Sequence, residues 1–397
     1  MTMPGKNRWL LPEGIDELLP EQAWQLESFR RKLLDLCRSW GYDLVIPPLI
    51  EFLDSLQIGV GSDLDLKTFK LIDQLSGRLM GIRADMTPQV ARIDAHRLAG
   101  DGVQRLCYLG SVLRTASDGF GSSRAPLQFG AEIYGHADVD SDVEILRLML
   151  ASLKLAGLEQ VQLDLGHVGI FRQLSRRANL TAEDEGILFD ALQRKARPEI
   201  DAFIQSSGLP ADISAMISQL TDLTGGPEVF ERAKAVLQNA GSEVESALHN
   251  LQLVANRLST SCHGVSLYFD LAELRGFNFH TGVVFAAYIA GRGEEVARGG
   301  RYDGIGAAFG RARPATGFSA DLKVLLQLME CSPGQSDRAI FAPWPDSPDW
   351  ADEIERLRNL GERVICRSSK QDGKNGKKPG ERWLCRIVSG FEIVEID

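Results

Sequence analysis

Several devices that would declare a chemistry are missing from this sequence. The six cysteines, Cys37, Cys107, Cys262, Cys331, Cys366 and Cys385, form no C-x-x-C pair, and no His/Cys cluster has zinc-ligand spacing. No metal site and no cofactor are expected, and thiols scattered in this way read as reduced, partly buried residues of a cytoplasmic protein. Also missing is an apolar run of about 18 residues, so no membrane-spanning helix is expected. Residues 1–11 are too short and polar to read as a signal peptide. An excess of basic residues is lacking as well. Lys and Arg number 44 against 54 Asp and Glu, a net charge of −10. Tight nucleic-acid binding draws on a basic face, so this balance weighs mildly against an RNA partner without excluding a local patch.

What is present is an ordinary globular composition. The chain has 397 residues, 44% hydrophobic and 25% charged, long enough for a large core and two or three domains. Leu26, Phe29, Leu33, Leu36 and Trp40 recur at helical spacing over residues 21–40, and Gly41 follows as a stop. Residues 42–50 are apolar but hold Pro47-Pro48, which suits an edge or interface strand, because proline donates no ladder hydrogen bond. Residues 105–114, 127–135, 161–165, 265–269 and 283–289 read as strands of one sheet. A helix is expected to start at Ser141, with Glu144 completing a capping box, and to end at Gly157. Residues 168–260 read as a helical insertion, in which Thr181 and Asp184 open one helix and Pro198 interrupts. In the tail, strands at 339–341 and 363–366 are expected to flank a helix around 350–360. Residues 368–381, rich in Lys and Gly, read as a solvated loop.

Four segments carry candidate chemistry. The first is Arg83-Ala84-Asp85-Met86-Thr87-Pro88-Gln89. The second is Leu113-Arg114-Thr115-Ala116 with Arg124-Ala125-Pro126-Leu127-Gln128-Phe129-Gly130-Ala131-Glu132. The third is Leu274-Arg275-Gly276-Phe277-Asn278-Phe279-His280-Thr281-Gly282. The fourth is Gly299-Gly300-Arg301-Tyr302-Asp303-Gly304, then Thr316-Gly317-Phe318-Ser319-Ala320-Asp321-Leu322-Lys323-Val324. A carboxylate such as Asp85 suits an ammonium group, and the Arg275 fork suits a carboxylate. Gln128 and Glu132, four apart, share one face of a strand, where buried polar groups need partners. Plainer readings stand beside these. Thr87 and Pro88 could simply cap and open a helix, Gln128 and Glu132 could sit on a wet sheet face, and His280 could be structural.

In order and spacing the four segments resemble the class II histidyl-tRNA synthetases, over roughly residues 8–330. The resemblance implies an α+β fold, a mostly antiparallel sheet flanked by helices. Residues 1–330 would form the synthetase-like core domain, with its helical insertion at about 168–260, and 331–397 a small C-terminal α/β subdomain. It also implies a histidine-binding set of Asp85, Thr87, Arg114, Gln128, Glu132, Arg275 and His280. Asp85 and Thr87 stand where the family holds the amino group, and Gln128 and Glu132 where it contacts the imidazole and other polar groups. Arg114 stands where it grips the α-phosphate of ATP, Arg275 at the arginine of the histidine signature, and His280 in place of a tyrosine.

The same resemblance shows what has gone. The acid expected after Arg114 is Ala116, the family's Arg-Glu-Phe reads Arg124-Ala125-Pro126, and its third motif, Gly-Phe-x-x-Gly-Leu-Glu-Arg, ends here in Asp321-Leu322-Lys323-Val324. Valine cannot hold a γ-phosphate, and Asp321 adds bulk and negative charge where a small glycine is usual. Losing charge-stabilising groups costs orders of magnitude in rate, so histidine binding without adenylation, and no catalysis by the chain alone, are expected. The tail is also shorter than the anticodon-binding domain of a synthetase, and no tRNA or membrane partner is expected.

Asp85-Met86-Thr87-Pro88-Gln89-Val90-Ala91-Arg92 and His280-Thr281-Gly282-Val283-Val284-Phe285-Ala286-Ala287-Tyr288 are similar to phrases of the synthetase-like regulatory subunits of short-form ATP phosphoribosyltransferase. That likeness implies dimers assembled with the catalytic subunit into a hetero-octamer, activation of catalysis, and feedback inhibition by histidine at the first step of histidine biosynthesis. Histidine could occupy the synthetase-like pocket or a subunit interface. Three rival readings remain: a histidine-activating ligase, a relative that activates an amino acid for a non-tRNA acceptor, and a synthetase-like sensor acting on another partner.

Overall fold

The computed structural model describes residues 9–57, 62–117, 123–262, 264–277, 279–329, 339–367, 382–387 and 390–395. Two compact units divide the chain, residues 1–329 and residues 330–397. Cys331, Asn278 and the expected loop at 368–381 lie outside the described residues.

The larger unit is built from strands β1 (Asp43–Leu44), β2 (Ile50–Phe52), β3 (Phe69–Ile72), β4 (Leu79–Ile82), β5 (Gln104–Ser111) and β6 (Leu127–Tyr134). It continues with β7 (Val161–His167), β8 (Thr224–Gly225), β9 (Val265–Asp270), β10 (Val283–Tyr288), β11 (Ala297–Arg301) and β12 (Ala315–Asp321). Nine of these form one sheet in the order β1-β5-β6-β12-β11-β10-β7-β9-β8, and β2, β4 and β3 form a second, smaller one. The large sheet is antiparallel except where β1 joins β5 and β7 joins β9. All five sequence-read strands lie in it. The Pro-Pro segment follows β1, at its edge.

Period-two alternation gives the sheet two faces. In β6, Phe129, Ala131 and Ile133 join the main core beneath the helices, while Tyr134 packs on the other side with Tyr108, Met86 and Tyr302. The helix Val139–Leu155 lays Ile145, Leu146, Leu148 and Met149 into that core, all fully buried. Each such side chain contributes roughly 1.5–3 kcal/mol. The helix Pro20–Ser39 adds Phe29, Leu33, Leu34 and Cys37, and Gly41 then takes φ +83°, a left-handed turn that suits glycine.

Local starts differ from expectation in two places. Ser141 lies inside the helix rather than at its cap, which is Asp138. Its hydroxyl donates to the His136 and Asp138 carbonyls and accepts from Arg301, while Glu144 is held by Arg105 and Tyr42. A buried arginine thus claimed the residue that would have capped. The helix Thr87–Ile93 begins with Thr87 already inside it and Met86 at the cap position, and the Asp85 carboxylate accepts the Thr87 N–H. The chain from Val168–Arg177 to Ser242–Ser261 is mostly helical, and it also supplies β8 to the sheet edge. Thr181 does cap the helix Ala182–Gln193, accepting from the Asp184 N–H at 3.1 Å.

The C-terminal unit is a four-stranded sheet of β13 (Ile340–Pro343), β14 (Val364–Arg367), β15 (Arg382–Ile387) and β16 (Gly390–Glu395), in the order β14-β13-β15-β16. The helix Pro348–Asn359 packs Ile354 and Leu357 against Ile340, Ala342, Val364 and Leu384.

Candidate functional site

Five of the seven candidate residues, Asp85, Thr87, Glu132, Arg275 and His280, line one cavity of about 520 Å³ on the sheet. Arg114 and Gln128 line a neighbouring cavity of about 920 Å³ instead. Glycines make the room. A Cβ on Gly317 of β12 would meet the Glu132 Cγ at 2.7 Å and run into the Tyr302 hydroxyl.

One end of the smaller cavity is a fixed hydrogen-bond array. Asp85 Oδ1 accepts from the Thr87 N–H at 2.8 Å and from Gln128 Nε2 at 3.0 Å, and Gln128 Oε1 accepts the Met86 N–H at 2.9 Å. Gln128, expected to touch a ligand, is therefore committed to orienting Asp85. Thr87 Oγ1 lies 3.1 Å from the Tyr108 hydroxyl.

Beside this array the site is unsatisfied. Glu132 is only 1% exposed, and its Oε2 accepts from the Tyr134 hydroxyl. Glu132 Oε1, the Tyr302 hydroxyl and His280 Nδ1 are buried and have no hydrogen-bond partner among the described residues. Burial, with Asp85 adding to it, pushes the Glu132 carboxyl up to about 8. Burial likewise takes His280 down to about 4, so its ring is neutral at physiological pH.

The far end is charged. Arg275 follows β9, and its guanidinium lies 3.5 Å from Glu273 and 3.4 Å from Glu295, with the Tyr288 ring centroid 5.7 Å away. Asp164, Glu273 and Arg298 also line the cavity. Burial raises both the Asp164 and Glu273 carboxyls. Tyr302, Tyr108, Asp164, Glu273 and Arg298 were not singled out from the sequence as site residues. Tyr302 alone had a signal, its place in Gly299-Gly300-Arg301-Tyr302-Asp303-Gly304. Arg301 of that run is structural. It is buried against Asp142 at 3.0 Å and binds Ser141 at 2.8 Å, tying β11 to a helix start.

In the larger cavity, the positions that depart from the synthetase motifs make structural contacts of their own. Asp321 Oδ1 accepts the Lys323 N–H and the Leu127 N–H, each at 3.0 Å. It therefore caps the helix Leu322–Leu328 and pins it to the start of β6. Lys323 Nζ pairs with Asp16 at 3.1 Å, and Ser123 donates to the same carboxylate at 2.8 Å. Arg124 donates to the Arg114 and Glu13 carbonyls, each at 3.1 Å. Residues 14–16 thus form part of the cavity wall. Among the described residues no group of three or more His, Cys, Asp or Glu side chains is placed to hold a metal ion, and no helix is long and apolar enough to cross a membrane.

This sheet, with its glycine-lined cavities and its four segments in order, defines the class: a class II aminoacyl-tRNA synthetase-like core of the histidine type. Comparison with known proteins agrees. A family model described as histidyl-tRNA synthetase matches residues 14–325, and one described as the ATP phosphoribosyltransferase subunit HisZ C-terminal domain matches residues 337–384. Curated relatives include the ATP phosphoribosyltransferase regulatory subunits of Nitrosococcus oceani, 57% identical with 99% of this chain and 98% of that one covered, and of Methylococcus capsulatus, 55% identical with 98% of each covered. Among solved structures, an ATP phosphoribosyltransferase regulatory subunit/histidyl-tRNA synthetase from Bacillus halodurans superposes with a TM-score of 0.81 at 26% identity, covering 94% of this chain and 95% of that one. The histidyl-tRNA synthetase of Nostoc sp., at 16% identity, shares the fold with a TM-score of 0.77, covering 98% of this chain and 97% of that one. The chain belongs to the family of ATP phosphoribosyltransferase regulatory subunits.

Proposed function

We propose that the chain binds free histidine in the 520 Å³ cavity and passes that occupancy to a catalytic ATP phosphoribosyltransferase subunit. The observation that carries the reading is that Glu132, Tyr302 and His280 line this one cavity while Glu132 Oε1, the Tyr302 hydroxyl and His280 Nδ1 are buried without a hydrogen-bond partner among the described residues. Leaving each unpaired costs about 1–3 kcal/mol. An imidazole, with one donor and one acceptor nitrogen, supplies what such a cluster needs. Asp85 would meet the ammonium and Arg275 the carboxylate, each by a charge-assisted bond.

Regulation then follows from linkage. The complex has a more active and a less active state, and the histidine-free subunit favours the first. Histidine binds the second better, and the coupling is reciprocal. The chain acts in the cytoplasm as a dimer, joined with catalytic subunits in a hetero-octamer, at the first step of histidine biosynthesis. Titrating it into its catalytic subunit should raise the rate of phosphoribosyl-ATP formation, and histidine should suppress that rise. No rate change and no co-elution of the two proteins would defeat the proposal. Arg275→Ala should weaken inhibition by histidine roughly tenfold or more. Unchanged inhibition in that variant would place the sensor elsewhere, at a subunit interface.

A further inference from the structure

Glu295 stands between the two cavities and touches the cations of the smaller one. Its Oε2 lies 3.4 Å from Arg275 and its Oε1 3.0 Å from Arg298. Arg275 lines the 520 Å³ cavity, Glu295 lines the 920 Å³ cavity, and Arg298 lines both, so the acid meets the smaller cavity's arginines from the side of the larger one. It sits on the turn between β10 and β11. Its neighbour Glu294 is instead paired with Arg292 at 3.3 Å. Glu273, the other acid on Arg275, also accepts the Arg275 backbone N–H at 2.8 Å, so its position is fixed by the local turn. Glu295 has no such backbone tie among the described residues.

We infer that Glu295 is an internal carboxylate competitor that sets selectivity for carboxylate-bearing ligands in the smaller cavity. The inference rests on the histidine reading above. Glu295 partly neutralises the arginines that a ligand carboxylate must use. A ligand with a carboxylate shares them with Glu295, and a ligand without one leaves them to it. The penalty therefore falls on the carboxylate alone. Arg275 and Glu295 are both partly solvated, so the effect belongs to the scale of exposed ion pairs rather than of a buried charge.

Calorimetric titration of the full chain tests this with two probes, histidine and histidinol, which keep the same imidazole and amine but differ in the carboxylate. Glu295→Gln should tighten histidine by about twofold to fivefold and leave histidinol unchanged. Glu294→Gln, which removes the same charge one residue away, should alter neither. Equal or weaker histidine binding in Glu295→Gln would overturn the inference, because the acid would then be neutral or a positioning group. Equal tightening of both probes, or the same gain in Glu294→Gln, would also overturn it, since the effect would be one of general field. If the parent chain binds histidine in neither experiment, the histidine reading itself fails, a result distinguishable from all of these.

Discussion

Glu132 keeps a proton that an ordinary glutamate would lose. Folded, its carboxyl titrates at about 8, against 4.5 for the unperturbed group. The unfolded chain releases that proton first, so the stability tied to this group is complete below pH 4.5 and is lost as the pH rises to 8. His280 runs the other way. Its folded value of about 4 lies below the usual 6.5, so its contribution is complete above 6.5 and is lost as the pH falls towards 4. Glu132→Gln removes only the first dependence. The melting temperature of this variant relative to the parent, measured without ligand, should climb between pH 5 and pH 8. A flat difference would mean that the carboxyl is already ionised in the empty cavity. The motifs made Asp85, Glu132, Arg275 and His280 visible as candidates. Tyr108, which contacts Thr87, and Asp164, which lines the cavity, were not visible, because they come to the site from other strands, β5 and β7, and long-range neighbours leave no local spacing to read. Gln128 was visible, but its use was not, since only the folded chain puts Asp85 3.0 Å away.

At the scale of elements, the most apolar strands read well, while short or glycine-rich strands and helix starts read poorly. Runs such as residues 283–289 are apolar on both faces and span the sheet interior, so composition alone locates them. A helix start depends on which side chain wins a backbone group, and at Ser141 the winner was decided by Arg301, 160 residues away. Strands β2, β3 and β4 are three or four residues long and half exposed, too little pattern to detect, and β15 and β16 of the tail escaped as well. Two element-level changes can be measured by urea unfolding. Asp321→Ala should cost about 1–2 kcal/mol through the lost helix cap. A variant as stable as the parent would show that the cap is replaced by water. Gly299→Ala in β11 should cost more, because the added Cβ would lie 2.7 Å from the Phe318 Cα and the Phe285 Cζ. Overpacking of that kind costs about 1–3 kcal/mol, and full native stability would show that β11 and β12 can part without loss.

At the scale of the whole molecule, the larger unit leaves apolar side chains in water at the β1 edge of the large sheet and at the β3–β4 turn of the small one. Ile46 is 76% exposed beside β1, Leu44 and Leu49 are also exposed, and Leu75, between β3 and β4, is 98% exposed. An apolar edge next to paired prolines suits self-association. If the dimer proposed above uses this face, Ile46→Asp should shift the sedimentation coefficient of the isolated chain towards that of a monomer, and an unmoved boundary would take this face out of the proposed contact. The larger cavity, finally, has been given a second occupation. Asp321 now starts a helix, and Lys323 now anchors Asp16 in the wall. Putting glycine back at 321 and arginine back at 324 would therefore undo a joint before it rebuilt a nucleotide site. Any redesign of this cavity towards a nucleotide therefore begins with a step down in stability. In this chain positions 321 and 323 serve as masonry, and altering them loosens the wall they hold.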